Sequence, residues 1–184
     1  MTALIIGGIF IAILVLMYNS LVGKKNQVDN IFASVDTLLK KRFDLIPNLI
    51  STVQQYMEHE KSLLNRLTEL RAQAMKPNVS DEQKIALDKQ MSQALGSIMV
   101  AVENYPDLKA NENVMHLQRT LTEVEAQISA ARRAYNQAVT DYNNAIEMIP
   151  TNFMANAMHY RRKELFSIIE QERQNVNVGE LFKK

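Results

Sequence analysis

A chain of 184 residues with 21 basic and 20 acidic side chains carries a formal charge of only +1, which argues against a dedicated nucleic-acid binder, since those show a clear basic excess. The absence of cysteine excludes disulfides, thiolate metal sites, a cysteine nucleophile and a lipid-modified N-terminal cysteine. Five glycines and four prolines punctuate long runs of good helix formers, too few turns for a β-rich fold, so the chain reads as all-α, one domain plus a small extra element.

The first element is residues 1–23. Ala3 to Tyr18 is an unbroken apolar run, Leu21 and Val22 extend it, and no charged side chain precedes Lys24. About 20 helical residues at ~1.5 Å each cross the ~30 Å hydrocarbon layer and hide their own backbone polar groups. A cleaved signal peptide would need a basic start and a small-x-small site; Met1-Thr2-Ala3 and Tyr18-Asn19-Ser20-Leu21 offer neither, so an uncleaved transmembrane anchor is expected. Lys24, Lys25, Lys40, Lys41 and Arg42 follow it, and the positive-inside rule places the N-terminus outside and the body in the cytoplasm, at the inner membrane.

Residues 24–184 read as a long antiparallel helical bundle of three long helices and a shorter C-terminal one. Helix one is expected from Lys24 to about Met75, with Val28, Ile31, Val35, Leu38, Ile46, Leu49, Val53, Leu63, Leu67 and Leu70 at heptad-like steps of three and four. Arg42 and Glu60 interrupt that seam. Pro47 removes one helix hydrogen bond and crowds the Phe43 carbonyl, which predicts a kink or a restart with Asp44 as N-cap. Residues 24–43 could alternatively be a stalk, since helix one would outreach helix two. Ser80-x-x-Gln83 is a capping-box signature opening helix two, which runs to about Glu103 with Ile85, Met91, Leu95, Ile98 and Val102 as its stripe, and Gly96 as a point of close helix approach. Helix three, Asn111 to Ile149, has Val114, Leu117, Leu121, Val124, Ile128, Tyr135 and Tyr142 on one face, and Pro150 stops it. The tail, residues 150–184, contains a helical pattern from Met154 to Glu172. Short connections make successive helices antiparallel.

Catalytic chemistry is not legible. His59, His116 and His159 lack the Glu-x-x-His spacing of di-iron bundles, and His-Glu-x-x-His is absent. Glu112 with His116 and Glu58-His59-Glu60 read as solvated surface. No glycine-rich phosphate loop and no Gly-x-Ser-x-Gly occurs. No cofactor or metal is expected. Two segments stand out. Arg42, Asp44, Pro47 and Asn48 place charge and amide around a proline on a core-facing stripe; the choices are a partner site at a kink or a buried network satisfying the backbone group that Pro47 frees, and we take the latter. The tail carries Phe153, Met154, Met158, Tyr160, Leu165 and Phe166 beside Arg161-Arg162-Lys163; it either lies on the membrane surface or docks on the bundle as its fourth helix, and we take docking.

Tyr18-Asn19-Ser20-Leu21-Val22 after the anchor, Arg42-x-Asp44-Leu45-Ile46-Pro47-Asn48-Leu49, Tyr105-Pro106-Asp107-Leu108-Lys109-Ala110-Asn111-Glu112-Asn113, Ala130-Ala131-Arg132-Arg133-Ala134-Tyr135-Asn136 and Ile149-Pro150-Thr151-Asn152 resemble the LemA family of bacterial membrane proteins. The resemblance covers nearly the whole chain from Tyr18. It implies an antiparallel bundle behind one anchor and supplies no enzyme activity. A member in the magnetosome membrane system implies a role in organising membranes. Lipoprotein relatives begin with a cysteine that this chain lacks, and the tail around Glu164 to Glu170 departs from the family pattern. The expected function is a non-catalytic membrane-anchored scaffold or adaptor. The alternative is a membrane-shaping protein acting through self-association, and behind both stands an enzyme with a scattered site. The expected partners are the lipid bilayer through residues 1–23 and unidentified membrane or cytoplasmic proteins, with homo-oligomerisation open and no nucleic acid.

Overall fold

The computed structural model describes residues 1–166. They form six helices and no strand: α1 Thr2–Val53, α2 Lys61–Ala74, α3 Asp81–Val102, α4 Pro106–Lys109, α5 Glu112–Glu147 and α6 Thr151–Ala157. The anchor and the first body helix are one element. At ~1.5 Å per residue, the 52 residues of α1 reach about 78 Å. Its N-terminal part is exposed along every face, while from Leu21 onward Val28, Phe32, Val35, Leu39, Phe43, Ile46, Leu49 and Val53 form a buried stripe at steps of three, four and seven.

Three expectations about helix one are corrected. Residues 24–43 are not a free stalk, because their apolar stripe packs against α5. The helix passes through Asp44 and Pro47 without a restart. It does not reach Met75 but ends at Val53, and α2 starts at Lys61. The cause lies in the seam: continuing the helix would carry Glu60 into the core. The chain turns instead, Met57 becomes fully buried, and the Glu60 carboxylate accepts a 2.8 Å hydrogen bond from the Tyr105 hydroxyl.

The turn sends α2 back antiparallel to α1, so that Arg71 reaches Phe43. α3 then runs parallel to α1, with Lys84 paired to Asp36 at 2.8 Å and Asp88 lying against Arg42. The Ser80–Gln83 capping box forms as expected, at 3.2 and 3.0 Å. α5 starts with the Asn111 side chain accepting from the Asn113 and Val114 amides, and returns along the full body of α1. α1, α2, α3 and α5 thus alternate in direction as a four-helix bundle. The fourth helix is α2, not the tail.

α2 and α3 are too short to cover the membrane-proximal half of the α1–α5 pair, and the tail covers it. The expected helix from Met154 to Glu172 is corrected: α6 ends at Ala157, residues 158–166 are not helical, and residues 167–172 lie outside the described residues. His159, with φ of 54°, ends α6 in a Schellman arrangement: the Tyr160 amide donates to the Ala155 carbonyl at 2.9 Å and the His159 amide to Asn156 at 3.0 Å. Beyond it, two α5 asparagines hold the tail by its main chain. Asn143 donates to the Lys163 carbonyl and accepts from the Lys163 amide, both at 3.0 Å; Asn136 does the same with Phe166, at 2.9 and 2.8 Å. Seven helical residues and three extended ones both span about 10 Å, so the two pairs are in register. Phe166 completes an aromatic cluster with Phe32 and Tyr135, at centroid separations of 6.5 and 5.3 Å. Burial there pushes the Tyr135 hydroxyl up to about 12.

Candidate functional site: a buried charge cluster beneath an apolar cleft

Midway along the body, three helices each bring charge to one point. Arg42 comes from α1, Asp88 and Ser92 from α3, one turn apart on a face, and Glu125 and Arg132 from α5, two turns apart on a face. The Arg42 and Asp88 side chains are almost fully buried, that of Arg132 nearly so, and that of Glu125 is 36% exposed. Arg42 pairs with the Asp88 carboxylate and with Glu125 at 2.6 Å, and donates to the Ser92 hydroxyl at 2.8 Å. Arg132 meets the other Asp88 oxygen at 2.5 Å, the other Glu125 oxygen at 3.3 Å and Ser92 at 3.3 Å. All four carboxylate oxygens therefore face a guanidinium nitrogen, and the cluster sums to zero charge. Burial pushes the Asp88 carboxyl above the usual carboxylate range, with Arg42 and Arg132 pulling the other way. The Arg42 and Arg132 Nε atoms are buried with no partner among the described residues.

The cluster floors a cleft of about 460 Å³ between α3 and α5, open to solvent. Leu95, Gly96 and Met99 form one wall and Leu121, Thr122 and Ala126 the other. Gly96 therefore lines an opening rather than a close helix approach. The volume lies in the range of small-molecule and side-chain-accepting pockets.

Of the four residues singled out from sequence, only Arg42 is in this site. Asp44 points to the opposite side, paired with Lys40 at 2.6 Å on the surface, and Asn48 and Pro47 are exposed. These residues do not form one buried network. The backbone group that Pro47 frees is nonetheless satisfied: Arg71 Nε of α2 donates to the Phe43 carbonyl at 3.1 Å. The partners that sequence reading missed, Asp88, Glu125 and Arg132, had a signal. Each lies at helical spacing on an apolar stripe: Asp88 three before Met91, Glu125 four after Leu121, Arg132 four after Ile128. Opposite charges interrupting three stripes that must meet is the pattern of a buried ion cluster.

Known proteins are similar to this chain over most of its length. The family model described as the LemA family matches residues 31–179. Protein LemA of Metamycoplasma hominis is 26% identical over 174 residues, covering 95% of this chain and 80% of the relative. A magnetosome protein MamQ of Paramagnetospirillum magneticum is 24% identical over 182 residues, covering 85% of this chain and 67% of the relative. The MamQ of Magnetospirillum gryphiswaldense is 21% identical over the same length.

Proposed function

The chain belongs to the LemA family, and from that premise we propose that it is a non-catalytic, membrane-anchored adaptor that holds a helical platform rigidly against the inner face of the cytoplasmic membrane. The observation that carries this reading is α1 itself. A single helix runs from the apolar anchor through the core to Val53, with no joint between them. A partner seated on the body is then held at a set height and angle to the bilayer. The cleft between α3 and α5 is the surface for that partner: it is apolar, open, and backed by a cluster that fixes three helices at once.

The same cluster supports a structural rather than a catalytic part for its carboxylates. Each carboxylate oxygen here faces a guanidinium nitrogen, so the four charges hold one another in place across three helices. The basic residues after the anchor support a cytoplasmic body. A photo-crosslinking residue placed at Met99 in the cleft should yield a discrete adduct in native membranes, whereas one at Gln73 on the exposed face of α2 should not. Adducts at Gln73 with none at Met99 would contradict the cleft as the partner surface. A fluorescent reporter that matures only in the cytoplasm, fused after Lys184, should be bright; a dark one would reverse the orientation.

The similarity to magnetosome proteins favours a second reading, a membrane organiser acting through self-association. Single-copy behaviour of the full chain in native membranes at its normal abundance would count against it.

A further inference from the structure

We propose that the corner between α5 and α6, residues Met148 to Phe153, is a second membrane contact that dips into the lipid interface beside the anchor. The inference rests on the anchor and not on the adaptor reading. Three large apolar side chains at this corner are mostly exposed: Met148 by 62%, Ile149 by 78% and Phe153 by 70%. The neighbouring Ala155 is buried, and Met154 and Met158 pack against the core, so the corner turns one apolar side inward and leaves another bare. A bare apolar patch on an otherwise packed body marks an interaction surface.

Register identifies the occupant. The rings of Phe32 on α1 and Tyr135 on α5 lie 5.4 Å apart, which puts these two residues at the same height on antiparallel helices. Glu147, the last residue of α5, is twelve residues beyond Tyr135, about 18 Å toward the membrane at ~1.5 Å per residue, and Met148 and Ile149 follow it directly. Twelve residues back from Phe32 is Ser20, between the end of the unbroken apolar run at Tyr18 and Leu21. The exposed corner therefore stands level with the end of the anchor. Leu21 agrees independently. It belongs to the extended apolar run, yet it is fully buried by the body, and α6 packs against α1. The body thus overlaps the end of the anchor instead of starting clear of the bilayer.

The charges are arranged to match. One step farther from the membrane, Tyr142 donates to the Arg161 carbonyl at 3.1 Å; the next residue, Arg162, pairs with Glu147 at 2.8 Å, and Lys25 on α1 pairs with Asp29 at 2.8 Å. Apolar side chains level with the anchor's end, with Lys24 and Arg161 following just above them, is the layering of an interfacial segment: the apolar groups enter the acyl boundary and those cations meet the phosphates. With two contacts, the anchor and the corner, the body loses its freedom to rotate about the anchor axis, so the α3–α5 cleft faces a set direction.

The chain has no cysteine, so single labels can be introduced without removing any. The full chain carrying Phe153→Cys, labelled with an environment-sensitive fluorophore, is placed in nanodiscs of mixed zwitterionic and anionic phospholipid at one copy per disc. Val100→Cys, equally exposed at 70% but at the far end of α3, and Asn30→Cys, exposed on α1 above the corner, are the comparisons. At position 153 the emission should shift to the blue and be quenched by lipids with a nitroxide on the acyl chain; at 100 and 30 it should stay red and be quenched by aqueous iodide. Emission at 153 that matches position 100 overturns the proposal. So does protection at 153 that appears only when two copies share a disc, because the corner is then covered by a second chain and not by lipid.

Discussion

Arg42 carries its charge into the core of the bundle because two other helices supply carboxylates at the same height. A buried ion pair contributes little net stability against an apolar replacement, but removing one partner leaves charges unpaired, at about 3–5 kcal/mol. Thermal melts of the full chain should therefore show Asp88→Ala strongly destabilised by that amount, since it leaves Arg42 and Arg132 to share the one half-exposed carboxylate of Glu125. Asp44→Ala and Asn48→Ala should stay within about 0.5 kcal/mol of the parent, as surface changes do. Sequence adjacency misleads here: residues two apart on a helix point to different sides, so Arg42 is buried while Asp44 is solvated. Arg42 is legible in the sequence as a break in the seam. Its partners are not, because spacing gives the stripe on each helix and not which stripes meet. Pro47 has an analogous long-range answer in Arg71. Replacing Arg71 by Met leaves the Phe43 carbonyl without its donor and should cost ~1–3 kcal/mol. In a Pro47→Ala background the restored amide can serve that carbonyl, and the same change should cost less; an equal cost in both backgrounds would show that Arg71 acts by packing alone.

At the scale of elements, the tail shows what pattern reading cannot reach. Its apolar spacing suggests a helix, but His159 takes the left-handed position that usually falls to glycine, and no glycine marks the stop. The asparagines that grip it, Asn136 and Asn143, look like ordinary polar residues on a helix whose exposed side is full of them. A pH signature follows from Asp29, which takes a 2.5 Å hydrogen bond from Lys163 of the tail and a 2.8 Å one from Lys25. Desolvation raises this carboxyl, but the two lysines outweigh it and hold it below the usual carboxylate range. A group depressed in the folded state contributes stability that is complete above its unfolded value of about 3.9 and is lost as the pH falls through the lower folded one. A spin label at Leu165→Cys should report an immobilised tail at neutral and mildly acidic pH, and mobility should rise only below about pH 4. In Asp29→Asn the step should vanish, with a tail that is looser at every pH.

For the molecule as a whole, the α1–α5 pair forms the long axis and everything else packs along it. The anchor and the long α5 are legible from apolar periodicity. The fold-back of α2 is not, because the stripe of Leu63, Leu67 and Leu70 continues the spacing of helix one, and only the burial cost of Glu60 distinguishes a turn from a longer rod. What the account depends on most is that anchor and body form one stiff element. Paired spin labels at Ala12→Cys in the anchor and Lys41→Cys on the exposed face of α1 measure this in nanodiscs, since 29 residues of continuous helix span about 44 Å. A single narrow distance distribution near that value is the predicted result. A broad distribution, or one centred well short of it, would place a joint between membrane and body and contradict the rigid platform.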